Sequence, residues 1–176
     1  MFLSTERISL RALEPTDLDF LYALENDSSV WEVSNTVAPF SRYVLQKYLD
    51  NAAADIYETR QLRLVIESTK NEAVGAIDLF DFEPQHLRAG VGISVLPGFR
   101  RNKYASDALN LLKGYARNFL NLHQLYANIP EDNEGSLQLF RKNGFLECGV
   151  KKDWLKTASG WKDVVELQCI FAAAAK

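Results

Sequence analysis

A β-branched run, a cationic turn and an amphipathic helix follow one another without a break from Ala89 to Tyr115, and a second strand pattern, QLYANI, comes after them at Gln124 to Ile129. Val91, Ile93 and Val95 supply the first strand, and Pro97 and Gly98 turn the chain. Ala105, Ala108, Leu109, Leu112, Tyr115 and Ala116 then recur at spacings of three and four, which is the helical period. Two strands joined by a helix of this length form a βαβ crossover and lie parallel in one sheet. The turn carries Arg100, Arg101 and Lys103 just ahead of the helix. A helix start has unpaired N–H groups and a partial positive charge, so it binds phosphates, and flanking cations strengthen the field. Taken alone, the stretch is equally a strand–turn–helix connection with a solvated basic turn.

The flanking chain fills out the class. Arg7 to Leu13 alternates as a strand, and Pro15, Thr16 and Asp17 open a helix at positions that suit a first turn. Ser41 is the N-cap of a helix expected to run to about Tyr57. Gln61 to Glu67 and Ala73 to Phe82 read as a hairpin, and Arg88 to Leu96 extends it to an antiparallel meander. The crossover helix is predicted from about Asn102 to Leu120. Asn133 starts another helix, which Asn143-Gly144 ends. Phe145 to Leu155 and Trp161 to Phe171 are a last hairpin. The expected fold is α/β: a mixed, mostly antiparallel sheet with one parallel βαβ crossover and helices on both faces. With no repeat, linker or second core, it forms a single domain over residues 1–171 and leaves a loose tail at 172–176.

A chain of 176 residues, 47% of them hydrophobic, suffices for one packed core. The net charge of −3, with no long run of one sign, argues against a nucleic-acid partner. No apolar stretch approaches the roughly 20 residues of a membrane span, and the first dozen residues contain no signal-peptide run. Cys148 and Cys169 lack metal-ligand spacing and are too few for a disulfide framework, which fits a reduced, cytoplasmic protein. His86 and His123 have no ligand partner at useful spacing, so no metal is expected.

The turn Arg100-Arg101-Asn102-Lys103-Tyr104-Ala105 resembles motif A of the GNAT superfamily of acetyl-CoA-dependent N-acetyltransferases, Arg/Gln-x-x-Gly-x-Gly/Ala, with Lys103 in place of the middle glycine. Asn133, Ser136, Phe140, Gly144 and Phe145 resemble the family's Asn-x-x-Ala/Ser-x-x-x-Tyr-x-x-x-Gly-Phe, with phenylalanine in place of tyrosine. The order of elements is also the family's, over nearly the whole chain. ISLRAL, Pro15-Thr16-Asp17-Leu18 and the C-terminal hairpin are similar to the spermidine and ribosomal-protein N-terminal acetyltransferase branches.

The resemblance implies that backbone groups of Arg100, Arg101, Asn102, Lys103, Tyr104 and Ala105 hold the pyrophosphate of acetyl-CoA, with added charge from the arginines. It implies that the pantetheine arm lies along Ile93, Ser94 and Val95 in a gap between the two parallel strands, near Asn133 and Ser136. Lys103 is expected in a helical conformation, where it costs little and adds a cation. A backbone N–H near Val95 is expected to stabilise the oxyanion. Phe140 cannot protonate the leaving thiolate; the resemblance makes Ser136 the candidate for that role, and unaided departure of the thiolate stays open beside it. The family's glutamate is missing, because Gly90 stands in its place. Asp78 and Asp81 are substitutes, expected on opposite faces of their strand, and Asp78 matches an acidic position of the spermidine branch. Glu25, Asp27, Trp31 and Glu32 form an acidic and aromatic acceptor loop suited to a cationic polyamine. The implied activity is acetyl transfer to a primary amine by direct attack in a ternary complex. Protein N-terminal acetylation and non-catalytic coenzyme A binding stay open beside it, as does a homo-oligomeric state.

Overall fold

The computed structural model describes residues 3–31, 36–52 and 55–172. Strands β1 (Ile8–Arg11), β2 (Leu62–Ser68), β3 (Ala73–Glu83), β4 (Arg88–Val95), β5 (Gln124–Pro130), β6 (Leu146–Thr157) and β7 (Gly160–Ile170) form one sheet in the order β1-β2-β3-β4-β5-β7-β6. Helices α1 (Leu18–Glu25), α2 (Arg42–Asp50), α3 (Ile56–Thr59), α4 (Tyr104–Asn118) and α5 (Glu134–Lys142) surround it. Among the described residues only the β4–β5 pair is parallel, as the crossover requires.

Strand alternation sorts the side chains onto two faces. Leu64, Ile66, Ile77, Leu79, Ala89 and Val91 pack with Ala108, Leu109 and Leu112 of α4 and with Leu137 and Phe140 of α5 in the main core. On the opposite face, Leu21 of α1 and Leu45 and Leu49 of α2 form a second cluster with Leu18, Phe40 and Tyr48.

Local chemistry sets the element ends. The Ser41 hydroxyl accepts from the Val44 N–H at 3.2 Å and caps α2. That helix ends at Asp50 rather than near Tyr57, because the Asn51 amide folds back onto the Lys47 carbonyl at 2.9 Å. Asp55 then caps the separate α3, accepting from the Tyr57 N–H at 2.7 Å. Asn133 caps α5 through the Ser136 N–H, and Gly144, at φ 84°, follows its end.

The sheet is continuous in order but not in pairing. β4 meets β5 only at Arg88↔Gln124, Ala89↔Leu125 and Gly90↔Tyr126. Beyond them β4 stays with β3 as far as Val95↔Gly75, and β5 stays with β7 as far as Pro130↔Val164. A V-shaped gap opens between the two half-sheets.

Candidate active site

One wall of the gap is the β4 backbone at Ile93, Ser94 and Val95, all half-buried. Their β5-facing backbone groups have no strand opposite, so an extended ligand can take the place of one. At the wide end lies the turn before α4. Arg101 has φ 65° and Lys103 φ 63°, and left-handed residues on either side of Asn102 give the kind of turn whose successive N–H groups can converge on an anion. The first intrahelical bond here runs from the Asp107 N–H to the Lys103 carbonyl at 3.1 Å. The N–H groups of Tyr104, Ala105 and Ser106 therefore have no helical partner, and no side chain caps them. Asn102 braces the turn with its amide on the Phe99 carbonyl at 3.2 Å. Lys103 is thus left-handed, not helical as expected. The turn sets its conformation, and lysine carries the strain that glycine would avoid.

The arginines of the turn differ. Arg101 and Lys103 are exposed. Arg100 instead pairs with Asp27 at 2.7 Å. The Asp27 carboxyl is held below its usual value by hydrogen bonds from Ser29 foremost, against the opposing effect of burial, with Arg100 adding to the lowering.

Asp78 lies opposite Arg63 on β2 and Gly92 on β4. Both its oxygens accept from Arg63, at 2.6 and 3.1 Å, while the third guanidinium nitrogen reaches Glu25 of α1 at 2.5 Å. The Tyr48 ring lies 5.5 Å from that guanidinium. Burial opposes the charge of Arg63, but Asp78 and Glu25 outweigh it and raise the arginine's pKa. Two expected site residues, Glu25 and Asp78, are thereby joined by a third that the sequence reading passed over. Its signal was a charge inside the apolar strand QLRLVIE.

Asp81 is displaced by a β-bulge between Phe80 and Glu83 and has φ 47°. The bulge breaks the alternation, so Asp81 reaches the Tyr126 hydroxyl at 3.4 Å, on the same face as Phe80 and Asp78 rather than the opposite one. Burial, with Asp81 beside it, pushes the Tyr126 phenol up to about 12. Tyr126, at the vertex of the gap, was also missed in the sequence reading. Gly90 has a steric reason: a Cβ there would lie 2.3 Å from the Phe80 ring, so no glutamate fits unless that ring moves.

Ser136, in the first turn of the helix that follows β5, is half-buried beside its cap Asn133. Phe140, one turn on, is in the core against Phe145, with ring centroids 4.9 Å apart. Of the loop expected to take the acceptor, Trp31 donates its indole N–H to the Glu25 carbonyl at 3.1 Å. Glu32 lies outside the described residues. Among the described residues, no three His, Cys, Asp or Glu side chains cluster as metal ligands, and no helix is long and apolar enough to cross a membrane.

Comparison with known proteins accords with this geometry. The profile of the acetyltransferase (GNAT) domain matches residues 7–146. Spermidine N(1)-acetyltransferase of Escherichia coli K12 is 29% identical over 168 residues, 96% of this chain and 88% of that protein. The Vibrio cholerae spermidine N(1)-acetyltransferase is 26% identical over 143 residues, 81% of each chain. The crystal structure of the Vibrio cholerae enzyme with CoA and spermine superimposes with a TM-score of 0.84 at 23% identity, over 94% of this chain and 96% of that one, a likeness of fold. With its two half-sheets parted beside a turn of uncapped helix N–H groups, and the family profile spanning residues 7–146, the chain belongs to the GNAT family of acetyl-CoA-dependent N-acetyltransferases.

Proposed function

We propose that the protein acetylates a primary amine of a polyamine such as spermidine, by direct attack within a ternary complex. The observation that carries this reading is the gap between β4 and β5, closed at Gly90↔Tyr126 and open towards the 100–105 turn. The turn's N–H groups, Arg101 and Lys103 receive the pyrophosphate, and Ile93, Ser94 and Val95 line the arm. A backbone N–H near Val95 holds the oxyanion, and Ser136 donates a hydrogen bond to the departing sulfur. Asp78 keeps lone pairs beyond those that Arg63 uses, and these accept from the incoming amine. The cluster of Asp78, Glu25 and Arg63 has two carboxylates to one guanidinium and so attracts a cation.

One observation favours a second reading. Glu25 and Asp27 are both engaged by the chain's own arginines, and the single excess negative charge that remains matches the one ammonium of a peptide N-terminus better than the several of a polyamine. Release of free thiol from acetyl-CoA, measured against spermidine and short peptides, decides between them. Turnover with spermidine supports the first reading, turnover with peptides alone the second, and coenzyme A binding without turnover on either points to a binding module. Coenzyme A at about 100 times Kd is expected to stabilise the fold by roughly 2.7 kcal/mol; no melting shift with millimolar coenzyme A would overturn the assignment.

The assembly is proposed to be homo-oligomeric. A Vibrio cholerae spermidine N-acetyltransferase structure, 25% identical with a TM-score of 0.79, is dodecameric. Here the edge strand β6 and its neighbour β7 expose Leu146, Val150, Trp154 and Trp161, an apolar edge that a second copy would cover.

A further inference from the structure

Arg100 belongs by position to the coenzyme turn, but its guanidinium points out of it. Nε donates to the Val95 carbonyl at 2.9 Å, at the end of β4. Nη2 donates to Asp27 Oδ2 at 2.7 Å, and the Ser29 hydroxyl lies 3.4 Å from the same nitrogen. The other oxygen of Asp27 accepts from the Ser29 N–H at 3.0 Å and caps the 3-10 turn Ser28–Val30. One side chain therefore ties together the wall of the gap, the anion-binding turn and the acceptor loop, across 73 positions of sequence. At its other end the loop hangs from α1 and from Phe40 through Asn26, whose amide group bonds the carbonyls of Tyr22 and Phe40 and the Phe40 N–H. Stability alone is a weak reason for the Arg100–Asp27 pair: the Arg100 side chain is 41% exposed, and pairs of that kind contribute about 0–1 kcal/mol.

We infer that Arg100 and Asp27 couple the two substrate sites. Coenzyme A seated on the 100–105 turn fixes Arg100, Arg100 fixes Asp27, and the acceptor loop is ordered before the amine arrives. By linkage, an ordered loop tightens coenzyme A binding in return. In this role Arg100 and Asp27 are positioning residues. The inference rests on the acetyltransferase reading above, but its test needs no knowledge of the acceptor. Coenzyme A, which cannot react, is titrated into the full chain while backbone hydrogen exchange is followed over residues 26–31. In the native chain, saturating coenzyme A slows exchange there by about fivefold or more. Asp27→Asn keeps an oxygen for the Ser29 N–H but loses the charge, and Arg100→Gln loses the guanidinium. In both variants the slowing disappears, while Arg100→Lys keeps part of it. Asp27→Asn also raises the coenzyme A Kd by about fivefold, although Asp27 lies on the acceptor loop. If the native chain binds coenzyme A with unchanged loop exchange, or Asp27→Asn keeps the native Kd and loop protection, the coupling is refuted and the acetyltransferase reading stands. If the native chain does not bind coenzyme A, both fall.

Discussion

Lys103 sits at φ 63°, where a side chain is strained by about 1–2 kcal/mol and glycine is not. Glycine loses about 0.5–1 kcal/mol through its greater freedom in the unfolded chain, so Lys103→Gly is expected to stabilise the protein by about 0.5–1 kcal/mol, read as a rise in urea midpoint at unchanged slope. A lysine here places a cation beside the proposed phosphate site, so Lys103→Gly is also expected to raise the coenzyme A Kd. Ser136 carries a different expectation. Phe140 is buried against Phe145 and has no proton to give, and Ser136 in the first turn of α5 is the donor proposed in its place. Ser136→Ala should lower kcat about tenfold, in single turnovers where chemistry sets the rate. An unchanged kcat and pH profile would remove the serine from the mechanism.

Arg63 works at the scale of elements, since it joins β2, β3 and the end of α1 through Asp78 and Glu25. All three side chains are less than a fifth exposed. Arg63→Met leaves two carboxylates facing each other in a half-buried site and should destabilise by about 3 kcal/mol, measured by chemical denaturation. Adding Asp78→Asn should recover part of that loss. Element order and most boundaries were legible in the sequence, because caps such as Ser41 and Asn133 and the stop at Gly144 act within a few residues. The partnerships Arg63–Glu25 and Arg100–Asp27 were not, because they span 38 and 73 positions and no local pattern reports them. The bulge that turns Asp81 towards Tyr126 was hidden for a related reason, since the strand's alternation reads through it without a break. The left-handed Lys103 is a case of the turn overriding the preference of its residue.

At the scale of the molecule, Asp17 and Asp27 both have lowered carboxyl values. Burial of Asp17 acts the other way, but hydrogen bonds from Arg11 and the Glu14 N–H prevail. A carboxylate lowered on folding stabilises fully above its unfolded value of about 3.9 and loses that contribution as pH falls through the folded value. Acid unfolding is therefore expected to begin below about pH 4, and Asp17→Asn should flatten the pH dependence of the urea midpoint there. The exposed Trp154 and Trp161 make a further expectation accessible: scattering should report an oligomer, and Trp154→Glu with Trp161→Glu should shift it towards monomer. A monomeric native chain would remove the proposed interface. The seam between β4 and β5 has one more consequence. A structural engineer would call it an expansion joint, since two stiff panels meet there along three residue pairs. The coenzyme proposed to lie in this joint ties the panels together while it is bound, first as acetyl-CoA and then as CoA, and frees them on leaving, so hydrogen exchange in β4 and β5 is expected to slow in its presence.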